Sequence, residues 1–130
     1  MPNWLRAILA IIAGFVAWFV VATIGNFAVR LFYPGYVDVE KAMSFSLGMM
    51  LARLVVGAVA SIAAGVACAA IARSTRWPRY ALALLLLALF IPVHVFLRDT
   101  FPLWYHIVFL GSLIPLVLLG TRLLSSRATA

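Results

Sequence analysis

From Leu54 to Ala72 no residue is charged, and then Arg73, Arg76 and Arg79 arrive almost together. An uncharged apolar run of this length is what a helix needs to cross the roughly 30 Å hydrocarbon core of a bilayer. The basic cluster that ends it is costly to place in hydrocarbon and, by the bias of cytoplasmic loops toward Lys and Arg, marks the cytoplasmic end of the span. Every fourth residue along the run is small: Gly57, Ser61, Gly65 and Ala69. Such a stripe lies on one helical face and lets another helix backbone approach closely, which is how helices associate in lipid. The helix is therefore expected at the centre of a bundle.

The rest of the chain agrees with this environment. Of its 130 residues, 67% are hydrophobic and only 10% are charged, with a mean hydropathy of +1.18; soluble domains carry about a quarter charged residues. The expected fold class is all-α, a polytopic membrane protein built as a four-transmembrane-helix bundle in a single membrane domain, 1–130. The net charge of +7 comes from basic residues at the edges of apolar runs, where membrane topology accounts for them. Nucleic acid is thus not an expected partner. The single cysteine, Cys68, excludes an intramolecular disulfide and a cysteine-based metal motif, and reads as a small packing residue.

Four spans are expected, at about 5–32, 43–73, 80–97 and 103–124, followed by a short polar and disordered tail, 125–130. The first apolar run exceeds the roughly 7 to 15 residues of a signal-peptide core, and no Ala-x-Ala site follows it, so it reads as a retained span. Tyr33-Pro34-Gly35-Tyr36 forms a turn. Asp38 reads as the N-cap of a helix running from 39 to 73, with Glu40 in its first turn. A continuous helix of that length exceeds the bilayer core and has to tilt, protrude or bend near Gly48. Arg53 falls near the boundary of that span, four residues before Gly57 and so on the face of the small stripe, pointing into the bundle. Pro92 and Pro115 interrupt the hydrogen-bond ladders of the third and fourth spans.

Charge asymmetry sets an expected orientation. Arg6, Arg73, Arg76, Arg79, Arg122 and Arg127 lie on one side without an acid, whereas Arg30, Lys41 and Arg98 share the other side with Asp38, Glu40 and Asp99. Both termini are therefore expected in the cytoplasm. No internal repeat relates the spans. Phe101-Pro102-Leu103-Trp104-Tyr105-His106, with Pro115 and then Leu119-Gly120-x-Arg122-Leu123, resembles the last span of a group of small uncharacterised four-span bacterial inner-membrane proteins. The Gly65-Val-Ala…Ala70-Ile-Ala-Arg73 ending and the opening Ala10-Ile-Ile-Ala-Gly14 are similar to that group as well. The resemblance implies a four-helix membrane fold and a bacterial inner-membrane location, and it brings no catalytic or binding residue.

Polar residues gather at one end. Asn26, Arg30, Asp38, Glu40, Arg53, His94, Arg98, Asp99 and His106 all fall in the half of the chain's spans and loops opposite the termini. One reading makes them a pocket in which Arg53, with Arg30 or Arg98 nearby, holds an anion or a lipid headgroup, with His94 or His106 in attendance. The other treats them as ordinary boundary residues, with Arg53 snorkelling and pairing with Glu40 or Asp99. His94 and Arg98, four apart, are expected on one outer face, and His106 in an interfacial aromatic belt beside Trp104 and Tyr105. His94, His106 and Asp99 lack a spacing that fixes two metal ligands on one helical face, so no metal is expected, and no cofactor. No catalytic constellation is visible either, because all three acids lie in the expected outer loops and no glycine-rich phosphate loop precedes a lysine.

Two functional classes follow. The first is a structural or accessory membrane protein that acts through helix–helix association along Gly57, Ser61, Gly65 and Ala69, its partners being the bilayer and a second copy or another membrane subunit. The alternative is a small transporter, channel or ligand- or lipid-binding protein that uses the polar cluster around Arg53. The first is the favoured expectation from sequence.

Overall fold

The structure is a computed structural model describing residues 2–42, 45–73 and 75–129, with backbone only at 40, 41 and 125–129. Five helices follow in order: α1 (Asn3–Phe32), α2 (Tyr36–Ala42), α3 (Leu47–Ile71), α4 (Trp77–Phe96) and α5 (Leu103–Thr129). Four of them, α1, α3, α4 and α5, are long and apolar enough to cross a bilayer. The protein is an all-α four-helix bundle, a multi-pass membrane protein by the length and composition of these helices. Large apolar side chains such as Ile12, Val16, Leu84 and Val55 face outward, as they should where the surrounding solvent is lipid.

Core positions are small because the helices pack closely. Ala10, Ala60, Ala64, Leu82, Leu86 and Val117 are fully buried, and α3 packs against both α1 and α5. The stripe on α3 makes this approach possible. A Cβ added at Gly65 would overlap the carbonyl oxygen of Val117, and one added at Gly120 would overlap that of Ile62. Here α3 and α5 touch backbone to backbone. Nearer the other end, Gly57 faces the ring edge of Phe109, with 2.8 Å between that ring and an added Cβ. Arg53 with Tyr105, Gly57 with Phe109 and Gly65 with Val117 share one sequence offset of 52, so α3 and α5 run parallel and in register. Ser61, between the two glycines, accepts a 3.0 Å hydrogen bond from Trp18 Nε1 on α1 and donates to the Gly57 carbonyl at 2.7 Å. Gly57, Ser61, Gly65 and Ala69 are all buried inside the chain.

Several boundaries differ from the sequence-based expectation. The helix expected over 39–73 is two helices, α2 and α3, with Phe45 and Ser46 outside both; residues 43 and 44 lie outside the described residues. Ser46 caps α3, its hydroxyl accepting the Met49 N–H at 3.3 Å, which satisfies one of the orphan donors that every helix start carries. The bend thus precedes Gly48. Asp38 lies in the first turn of α2 rather than capping a long helix. Gly35, with φ 78°, supplies the left-handed step of the turn between α1 and α2. The tail expected to be disordered instead continues α5 as helix through Thr129, residue 130 lying outside the described residues. α4 continues through Pro92 and α5 through Pro115.

The contact at Gly65 yields a graded test. Gly65→Ala sets a methyl against backbone, which no rotamer change relieves, and overpacking of this kind costs about 1 to 3 kcal/mol or more. Gly57→Ala meets only a ring edge that can swing aside. Thermal unfolding of the detergent-solubilised protein, followed by circular dichroism, should show the larger loss for Gly65→Ala; equal losses would refute the backbone-contact account.

Candidate functional site

At the end of the bundle opposite the termini, the last turns of α1 and α4 meet the first turns of α3 and α5. The parallel register of α3 and α5 places Arg53 against Tyr105. Arg53 Nε donates to the Tyr105 hydroxyl at 3.3 Å, and Nη1 donates to the Tyr36 hydroxyl at 3.0 Å. Its guanidinium also lies over the rings of Phe45 and Phe101, 4.8 and 5.6 Å from their centroids. Both contacts are within cation–π range. Tyr36 is fully buried, so the short helix α2 turns inward to reach this arginine. Phe45 and Phe101 stack on each other at 5.3 Å, nearly parallel at 10°, and Phe101 stacks on Tyr105 at 4.4 Å. These rings form a roof over the end of the bundle.

The guanidinium is only partly satisfied by this setting. It presents five N–H donors, and its hydrogen-bond partners among the described residues are two neutral hydroxyls. Among the described residues no carboxylate pairs with it. Asp99, one of its expected partners, is 97% exposed and lies 3.9 Å from Arg98, itself 74% exposed. The side chain of Glu40, the other expected partner, lies outside the described residues.

Beneath the roof, the antiparallel packing of α4 and α5 joins two histidines. His94 Nδ1 and His106 Nδ1 lie 2.6 Å apart, with the rings at 88°. At that separation one nitrogen carries the hydrogen and the other accepts it. Both rings are buried, each 7% exposed. The two histidines therefore form part of the interior, not an interfacial belt or an outer face shared with Arg98, because the α4–α5 contact turns them toward each other. His106 Nε2 is buried without a hydrogen-bond partner among the described residues. No third His, Cys, Asp or Glu joins the pair in a metal-binding group among the described residues.

A cavity of about 260 Å³ opens beside these groups, with Asn26, Arg53, His94 and Tyr105 near its end and Trp18, Val56, Gly57 and Phe109 among its deeper lining. The structure thus gathers Asn26, Arg53, His94 and His106 at one place. Arg30 is exposed at the end of α1, and Arg98 and Asp99 occupy the loop after α4, outside the cavity lining. Sequence reasoning did not assign Tyr36, Phe45, Phe101 or Tyr105 to the arginine. Their signal was faint: phenol and phenyl side chains flanking turns at the same end as an arginine. Trp18 was not singled out, since nothing in a run of apolar residues marks which indole will face a serine on another helix.

The histidine contact predicts non-additive stability. His94→Phe strands His106 Nδ1, and His106→Leu strands His94, whereas the double variant removes both polar atoms. A double-mutant cycle on the solubilised protein should return a coupling of about 0.6 kcal/mol, the average for hydrogen bonds between membrane helices, and at most about 1.7 kcal/mol; additive losses would show that the two rings do not depend on each other.

No family model, no curated protein and no solved structure matches the chain.

Proposed function

We propose that this membrane protein binds a small molecule through an acidic group held by Arg53. The observation that carries this reading is a half-buried guanidinium, bonded among the described residues to neutral hydroxyls alone, at the wall of a cavity that Asn26 and His94 also line. An ionisable residue that faces the interior of a membrane bundle is expensive to bury and is a binding- or transport-site candidate by default. Arginine presents a planar fork of donors suited to carboxylate or phosphate. Asn26 adds an amide, and the aromatic wall excludes water, which strengthens the attraction between the guanidinium and an anion.

The assembly reading has less support. Gly57, Ser61 and Gly65 pack against α1 and α5 within one chain and Ala69 is buried, so association with a second copy or another subunit would require a different face. A bacterial inner-membrane location with cytoplasmic termini remains part of the proposed setting, resting on the charge asymmetry and the family resemblance.

The test is a fluorescence titration, because Trp18 lines the cavity. Organic carboxylates and phosphates should bind saturably, and the amide or alcohol of the same skeleton should bind at least tenfold more weakly. Arg53→Gln should weaken the acids by tenfold or more, about 1.4 kcal/mol, while Arg53→Lys retains part of the affinity. Equal binding of acids and neutral analogues, or affinity untouched by Arg53→Gln, would overturn the proposal.

A further inference from the structure

The cavity has a direction. Arg53 lies about 9 Å inside α3 and Gly57 about 15 Å, at about 1.5 Å of rise per residue. By the same measure Trp18 lies about 21 Å from the end of α1. The polar groups thus sit near the end of the bundle, and the floor, where Trp18 contacts Phe90 and Phe109, is apolar and approaches the middle of the span. A molecule matching this gradient has an acid at one end and hydrocarbon at the other.

The cavity is closed above and open at the side. Above it, Phe101 is 4% exposed and Tyr36 fully buried, and the Phe45–Phe101 stack covers the guanidinium. Laterally, its lining includes residues that reach the outer surface. Phe19 and Thr23 on α1 and Val93 on α4 are exposed, Phe19 by 38% and Val93 by 42%. They belong to facing stripes: Phe19, Thr23 and Asn26 on α1, and Phe90, Val93 and Leu97 on α4. The opening is a seam between α1 and α4, and in a bilayer that seam faces lipid.

Size narrows the class. Pockets that enclose drug-sized molecules span about 300 to 1,000 Å³, and this one holds about 260 Å³. One hydrocarbon chain, partly inside and partly along the seam, suits that volume; a pair of chains does not.

Resting on the proposed anion site, we infer that the ligand is a single-chain anionic amphiphile, admitted from the bilayer between α1 and α4. Its head group meets Arg53 and Asn26 beneath the aromatic roof, and its chain runs toward Trp18. Carboxylate and phosphate head groups share this chemistry, so a free fatty acid and a lysophospholipid are the two sources to be told apart.

The experiment uses the full chain carrying Trp4→Phe, Trp77→Phe and Trp104→Phe, which leaves Trp18 as the reporter, in neutral phosphatidylcholine vesicles. Brominated dodecanoate and a brominated lysophosphatidylglycerol are the probes, with brominated butyrate as a short acid and brominated dodecanol as the neutral chain. Both long anions should quench Trp18 saturably, at least tenfold more tightly than butyrate or dodecanol binds. The tighter of the two names the head group. Arg53→Gln should weaken them at least tenfold. A seam-filled variant, Thr23→Phe with Val93→Phe, enlarges two lining side chains that also reach the outer surface and should slow quenching at least tenfold while circular dichroism stays unchanged. Arg53-dependent binding that ignores chain length, or rates untouched in the seam-filled variant, would overturn the amphiphile and its route while leaving the anion site standing. Binding of every acid without dependence on Arg53 would overturn both.

Discussion

The site depends on a contact far from it, where α3 and α5 meet backbone to backbone at Gly65 and Gly120. In lipid there is no hydrophobic force between helices, so association rests on close packing and on polar groups that find partners across the interface. Two glycines provide the closest approach, and the same register carries down both helices to Gly57 with Phe109 and then Arg53 with Tyr105. The Trp18–Ser61 hydrogen bond does the corresponding work between α1 and α3. An error of one residue in either pairing would swing Arg53 away from its tyrosines by about 100°, since a helix turns once in about 3.6 residues.

A guanidinium half-buried at the end of such a bundle needs donors matched and charge answered. Tyrosine answers the first need without supplying a counter-ion, and the Phe45 and Phe101 rings answer part of the second through their negative faces. Among the described residues this leaves a fixed positive charge at the wall of a cavity. A carboxylate from the chain in the same position would neutralise the arginine and leave little reason for an outside anion to bind. The histidine pair has a different character, because its rings bond to each other and His106 Nε2 is left in the interior without a partner among the described residues.

Short α2 links these layers. Its sequence offers little to bury, yet Tyr36 is fully buried because Gly35 adopts a left-handed conformation and turns the chain back over the bundle. Ser46 then starts α3 afresh by capping it. The interruption lets the first turns of α3 stand at the boundary with Arg53 facing inward, in place of one long tilted helix.

The sequence by itself determined the spans, their number and the small face of α3, because hydrocarbon thickness and close helix approach each impose a local pattern on the chain. It also placed Asn26, Arg53, His94 and His106 at the same end, since alternating spans fix which end of the bundle each residue occupies. It misplaced the helix break after residue 42, because both a continuous helix and a capped restart suit the same apolar run. Only the tertiary structure decided that α3 and α5 run in register, that the small stripe is used inside the chain, that Arg53 bonds tyrosines while Arg98 and Asp99 remain outside, and that the two imidazoles touch. Those outcomes depend on the rotation and register of one helix against another, which are set by side-chain packing between residues far apart in sequence and leave no periodic trace along it.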